Sequence, residues 1–318
     1  MFEIVVIIVL ASLLVLLNIL GPLVEGIFVG KYIFKKQLYR AKRSDWARGT
    51  PSDPSNYEQV LMWNDGLSWA DAHKENRTEV DIVSEGYHLF GEYFDFGSDR
   101  AVIIVPGRTE TLMYSYHYAK AYQRIGYNVL VIDKRGHGNS DGQYEDNGEN
   151  SYVDIHAWAR LLEERFGIHH VTLHGVCIGA SHCMFAATSE KRPENIKEIV
   201  TDGMYETFGV TFKNHMKQDK RQVFPAFYFA MLWARIKAKA HFITNGPIKQ
   251  IGKLDLPILM IYTRLDQFST PDQAEKLFAR CGSEKKKLAW FDKGGHSHVY
   301  FNNESKYEET LKDYLFSL

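Results

Sequence analysis

Five residues, Gly175-Val176-Cys177-Ile178-Gly179, constrain this chain more than any other stretch. They follow a short apolar run, Val171 to Leu173, that reads as the end of a buried strand. They lead into Ile178 to Thr188, a run rich in Ala, Met and Phe that reads as a helix. A turn this abrupt forces its apex into strained backbone and leaves room only for very small neighbours, hence glycine two residues before and two after. Cys177 is then lifted above the sheet. The N–H of Ile178, in the first turn of the new helix, faces the place where an oxyanion would form. A cysteine near a strand end is more often a small buried hydrophobe, so the pattern acquires meaning only from the rest of the chain.

That rest alternates. Val80 to Ser84 and Tyr87 to Phe96 read as a hairpin turning at Glu85-Gly86. Ala101 to Val105, Asn128 to Ile132, Ile196 to Thr201, Ile258 to Tyr262 and Lys287 to Phe291 read as further strands, several of them continuous apolar runs suited to burial on both faces. Helical patterns lie between or after them at Met113 to Ile125, Tyr152 to Phe166, Ala274 to Arg280 and Glu304 to Phe316. Strands alternating with helices give a mostly parallel, doubly wound α/β sheet. Asp202 to Leu254 breaks the rhythm and reads as an inserted helical cap. Its Phe224, Phe227, Tyr228, Phe229, Trp233 and Phe242 serve either as cap core or as an apolar acyl pocket over the elbow.

Ile4 to Leu20 is interrupted only by Ser12 and Asn18, and apolar character continues to Val29. Such a run just reaches the roughly 17–25 residues of a bilayer-spanning helix. The chain starts Met1-Phe2-Glu3, without the positive n-region of a cleaved signal, and its basic residues follow instead at Lys31, Lys35, Lys36, Arg40, Lys42, Arg43 and Arg48. Positive flanks stay cytoplasmic, which places the remaining domain on that side. The competing readings are a helix buried in the protein or one lying in the interface. The expected organisation is a transmembrane anchor over 1–30, a basic wrapping segment with a short helix over 31–77, and one α/β domain over 78–318 with its cap at about 204–254.

A net charge of −1 gives no overall attraction to nucleic acid. The three cysteines, Cys177, Cys183 and Cys281, have neither disulfide-framework nor zinc-site spacing.

Four stretches complement the elbow. Val105-Pro106-Gly107-Arg108-Thr109-Glu110 follows a strand and supplies a second oxyanion donor, the backbone N–H of Arg108. Asp133 to Gly142 is a glycine-permitted tight loop, in which His137 is a hydrogen-bonding residue. Asp266, past the Ile258 strand, is a carboxylate placed to orient an imidazole, with Asp202 in reserve and Asp272 a helix-capping residue. Asp292-Lys293-Gly294-Gly295-His296-Ser297-His298 brings His296 over the elbow, and His298 is its less typical alternate. Nucleophile, acid and histidine then run Cys177, Asp266, His296.

On these residues the chain, from about Val80 onward, resembles the α/β-hydrolase superfamily, in the branch of monoacylglycerol lipases, lysophospholipases and serine-aminopeptidase-like hydrolases. The resemblance implies an eight-stranded sheet with a cap, a small-molecule or lipid-like acyl substrate, and no metal or organic cofactor. The departure is Cys177 where that family has serine. A Cys177–His296–Asp266 triad would cleave carboxylic esters or thioesters through an acyl-enzyme, with Ile178 and Arg108 as oxyanion donors and Gly175 and Gly179 as the elbow glycines. Acyl transfer through the same thioester is one alternative, and an inactive binding module is another. Ser181 as nucleophile lies a full helical turn past the apex and faces the wrong way.

Overall fold

The computed structural model describes residues 2–318. Two helices, α1 (Phe2–Gln37) and α2 (Tyr57–Ala72), precede the sheet. The alternating part follows as β1 (Arg77–Ser84), β2 (Tyr87–Phe94), β3 (Arg100–Val105), α3 (Leu112–Arg124), β4 (Asn128–Ile132), α4 (Tyr152–Phe166), β5 (His170–Val176), α5 (Ile178–Ala187) and β6 (Ile196–Asp202). The cap holds α6 (Phe208–Gln218), α7 (Ala226–Lys237) and the short α8 (Pro247–Gln250). The chain closes with β7 (Ile258–Thr263), α9 (Pro271–Arg280), β8 (Lys286–Phe291), α10 (Val299–Asn302) and α11 (Glu304–Leu315).

The eight strands form one sheet in the order β1-β2-β4-β3-β5-β6-β7-β8. β1 pairs antiparallel with β2, and β2 with β4. Every other pairing is parallel. The Glu85-Gly86 turn joins Ser84 directly to its partner Tyr87.

The continuous apolar runs divide by the strand period of two. Ile103, Leu130, Leu173 and Met260 pack with Trp158 of α4 and Met184 of α5 on one side of the sheet. Val102, Ile104, Val129 and Leu259 pack with Trp69 of α2, Tyr122 of α3 and Tyr307 of α11 on the other. A sheet covered on both faces tolerates no polar alternation, which is why β3, β4 and β7 read as unbroken hydrophobic stretches.

The first helix departs from the expected boundary near residue 30 and continues to Gln37. Its apolar residues from Ile4 to Leu20 are exposed, and it is long and apolar enough to cross a membrane. Gly26, Gly30 and Phe34, four residues apart on one face, are buried. A Cβ on Gly30 would lie 2.5 Å from Phe229 Cβ and 2.7 Å from the Ala226 carbonyl oxygen. α1 and α7 therefore touch backbone to backbone, with Ala226 and Ala230 on the facing side. This packing carries the helix past the apolar run. Phe34 and Leu38 then enter a core shared with Phe227, Ala230 and Met231 of α7.

The segment between α1 and β1 contributes more than a short helix. α2 is sixteen residues long and buries Met62, Trp63, Gly66, Trp69 and Ala70, positions spaced for one helical face. The cap aromatics split into two groups. Phe227 and Phe242 are buried with Phe208 and Phe212, whereas Phe224 and Tyr228 are exposed.

Candidate active site

β5 stops at Val176 and α5 starts at Ile178, leaving Cys177 alone between them at φ 53°, ψ −114°. No L-residue adopts this region without strain. The conformation is held by the Cys177 N–H donating to the Asp202 carbonyl at 2.8 Å and by the Ala180 N–H donating to the Cys177 carbonyl at 3.1 Å. Both elbow glycines are required by close approach. A Cβ on Gly175 would lie 2.4 Å from Ala180 Cα, and one on Gly179 would lie 2.0 Å from the Val105 carbonyl oxygen. The bare Gly179 lets the first turn of α5 rest on the end of β3, beneath the loop that carries Arg108. Among the described residues, the backbone N–H groups of Ile178 and Arg108 have no hydrogen-bond acceptor.

A buried network fixes that loop. Glu110 accepts from the Gly107 N–H at 2.8 Å. Lys134 donates to the Gly107 carbonyl at 2.9 Å and to Glu145 at 2.8 Å. The other Glu145 oxygen meets His182 Nε2 of α5 at 2.7 Å. Burial alone would raise the Glu145 carboxyl, but Lys134 and His182 outweigh it and hold it well below the usual range. Glu145, Asp146 and His182 bring potential metal-ligand atoms within 4.8 Å of one another. Lys134 and His182 already engage Glu145, and Asp146 accepts from the N–H groups of Gly148, Asn150 and Ser151 at 3.0, 3.2 and 2.8 Å. The cluster is satisfied within the chain.

Asp266 lies just past β7. Its Oδ1 accepts from the Phe268 and Ser269 N–H groups at 2.8 Å each, and its Oδ2 meets His296 Nδ1 at 2.6 Å. Burial opposes a charge on His296, yet the Asp266 carboxylate and the nearby Cys177 outweigh burial and hold the imidazole pKa well above its ordinary value. His296 Nε2 is buried, has no hydrogen-bond partner and shares a cavity with Cys177.

The alternates are placed elsewhere. Asp202 accepts from the Tyr307 hydroxyl at 3.0 Å, not from His296, and burial pushes its pKa up to about 7. His298 Nδ1 is 3.7 Å from Glu58. Ser181 is buried and donates to the Asn147 carbonyl at 2.9 Å. His137 bonds the Arg135 carbonyl at 3.1 Å and stacks on Trp46. Asp272 sits in the first turn of α9, where it accepts from Thr270.

The cavity over Cys177 and His296 measures about 650 Å³. Its walls are largely polar and include Lys36, Gln37, Arg108, Glu110 and His215. Among the described residues its aromatic walls are Trp46 and Phe268, and neither belongs to the cap. Of the two readings of the cap aromatics, cap core holds for Phe227 and Phe242, and the alternative, an apolar acyl pocket, is absent from this cavity. Phe227 and Phe242 fill the cap interior, Phe224 and Tyr228 face outward, and Phe229 packs against α1. Lys36, read from the chain only as part of a basic flank, and Gln37 reach the site because α1 continues into the domain. The Arg108 side chain is a further member that sequence reasoning missed, and its guanidinium donates to Gln37 Oε1.

Three comparisons bear on this architecture. The family model for the alpha/beta hydrolase fold matches residues 100–247. The uncharacterized protein YqkD of Bacillus subtilis is 22% identical over 73% of this chain and 74% of its own length. The uncharacterized membrane protein YNL320W of Saccharomyces cerevisiae is 22% identical over 61% of this chain, which covers 62% of that protein. Among solved structures, the Pyrococcus furiosus esterase Pf2001 superposes with a TM-score of 0.65 at 20% identity, over 78% of this chain and 93% of that one. With the matched segment, the strand order and the strained strand-to-helix elbow in one chain, the protein has the α/β-hydrolase fold.

Proposed function

We propose that the protein is a membrane-anchored thiol hydrolase of carboxylic esters or thioesters. The observation that carries this reading is Cys177, strained at the elbow apex, in one cavity with an imidazole that Asp266 holds at 2.6 Å. His296 takes the Cys177 proton, and the sulfur attacks the acyl carbonyl. The N–H groups of Ile178 and Arg108 receive the oxyanion. As the tetrahedral species collapses, the bond to the leaving alcohol or thiol breaks. That group departs with the proton from His296. His296 then takes a proton from water, the hydroxide attacks the thioester, and the carboxylic acid leaves as the thiol is restored.

The cysteine itself favours a second reading, acyl transfer. A thioester acyl-enzyme yields to amines and thiols more readily than to water. The exposed apolar helix and the membrane-protein relative support an anchor. The basic residues after it support a cytoplasmic catalytic domain. A lipid-derived substrate rests on that anchor alone.

Intact-mass spectrometry of the full-length chain in micelles, after brief exposure to 4-nitrophenyl acetate, tests the reading. An acetyl adduct absent from Cys177→Ala is expected, and added amines then separate transfer from hydrolysis. Folded wild-type protein with neither adduct nor nitrophenolate release would leave a binding module. Turnover surviving in Cys177→Ala would point to another nucleophile.

A further inference from the structure

The half-buried arginines at 48, 135 and 192 each hold a carboxylate: Arg48 meets Asp133 at 2.7 Å, Arg135 meets Asp154 at 2.7 Å and Arg192 meets Asp255 at 2.8 Å. Arg108 does not. It lies in the cavity wall beside Cys177, and its one side-chain partner among the described residues is the neutral amide oxygen of Gln37. The acids of the same cavity are engaged elsewhere. Glu110 is turned onto the Gly107 N–H at 2.8 Å, Asp53 accepts from the Ser55 hydroxyl at 2.6 Å, and Asp219 faces Arg221 at 3.3 Å. His215, on α6, adds no further charge: burial, then the Arg108 guanidinium, lower its pKa to about 2 and keep it neutral. Lys36, at the end of α1, adds a second cation to the cavity.

A cation withdrawn from water without a carboxylate in direct contact is costly, and the cost is recovered when an incoming anion supplies the missing partner. A guanidinium offers a planar fork suited to carboxylate or phosphate oxygens. We infer that the substrate carries an anionic group close to the scissile carbonyl and that the Arg108 side chain binds it. This inference rests on the hydrolase reading for the bond cleaved and goes beyond it in naming the substrate class. The Arg108 backbone N–H serves the oxyanion, while its side chain selects the compound.

The test uses the full-length chain in micelles and follows nitrophenolate release from mono-4-nitrophenyl glutarate and from its methyl ester, which masks the carboxylate at nearly equal length. A second arm follows thiol release from acetyl thioesters of mercaptoacetate and of its methyl ester, which puts the charge on the leaving group. Wild-type protein is expected to favour the anionic member of at least one pair by about tenfold or more in kcat/KM. Arg108→Gln should bring that ratio towards unity, and Arg108→Lys should retain part of it. A wild-type ratio near unity in both arms, or a ratio unchanged in Arg108→Gln, overturns the inference. Glutarate and inorganic phosphate are also titrated in thermal unfolding, which needs no turnover. Stabilisation by either that disappears in Arg108→Gln, with no ester cleaved, would keep the anion site and sink the hydrolase. Neither turnover nor stabilisation would sink both.

Discussion

Gly203 backs directly onto His296: a Cβ there would lie 3.0 Å from the imidazole Cε1 and 3.2 Å from Nδ1, with Asp266 Oδ2 at 3.7 Å. The residue follows β6, has φ +63°, and leaves the space that the ring occupies. Gly203→Ala is expected to displace the imidazole and lower kcat/KM by about a hundredfold, at a stability cost of about 1–3 kcal/mol. Ester kinetics beside thermal unfolding separate these effects. A variant with wild-type kcat/KM would show that His296 does not need its present position.

The Asp266–His296 contact makes a signed pH prediction. Because the folded imidazole pKa is raised above its unfolded value, the contact stabilises the fold fully below about pH 6.5. This contribution is lost as pH rises through the folded pKa. Asp266→Asn removes the main group that raises it. The His296 resonance in NMR titration should move to lower pH, and ester turnover should fall by about a thousandfold or more. An unshifted titration would contradict the assigned cause.

Asp202 has the opposite sign. Burial raises its folded pKa to about 7, so it is neutral in the fold at low pH and opposes folding as it ionises. Stability should decline between about pH 4 and 7 on this account. Asp202→Asn, which can still accept from Tyr307, should gain melting temperature relative to wild type at pH 8 but not at pH 4.5. A constant difference across that range would remove Asp202 from the account.

Gly30 tests the helix pair. Any side chain there enters Phe229 and the backbone of Ala226 and Ala230, the last at 2.9 Å from a Cβ. Gly30→Val should cost about 1–3 kcal/mol by overpacking. Gly21, with nothing within 4 Å of a Cβ, is the control. Equal melting temperatures for Gly30→Val and Gly21→Val would mean that the helices do not pack in this way.

The sheet was legible because its strands carry unbroken apolar runs, and those runs become buried on two faces. The elbow was legible because Gly175 and Gly179 meet backbone atoms that exclude any side chain. Cys177, Asp266 and His296 come near one another because each follows a strand end on the same side of the sheet's connections. Where α1 leaves exposed apolar surface and enters protein could not be read, since Val24 and Phe34 are both apolar while one is exposed and the other buried. Nor could the role of the cap aromatics, because Phe227 and Tyr228 are adjacent and face opposite environments. The Arg108 side chain was missed because its meaning lies in the carboxylates it does not meet.

The helix that begins among exposed apolar side chains ends as a wall of the cavity over Cys177 and His296. Trimming the chain after Gln37 would remove more than a tether: Phe34 would leave the cap core, Lys36 and Gln37 would leave the cavity, and Arg108 would lose its amide partner. Trimming before Gly26 would leave that masonry standing. Shortening the protein is thus a choice about where its architecture stops, and for this fold it stops inside the long apolar helix.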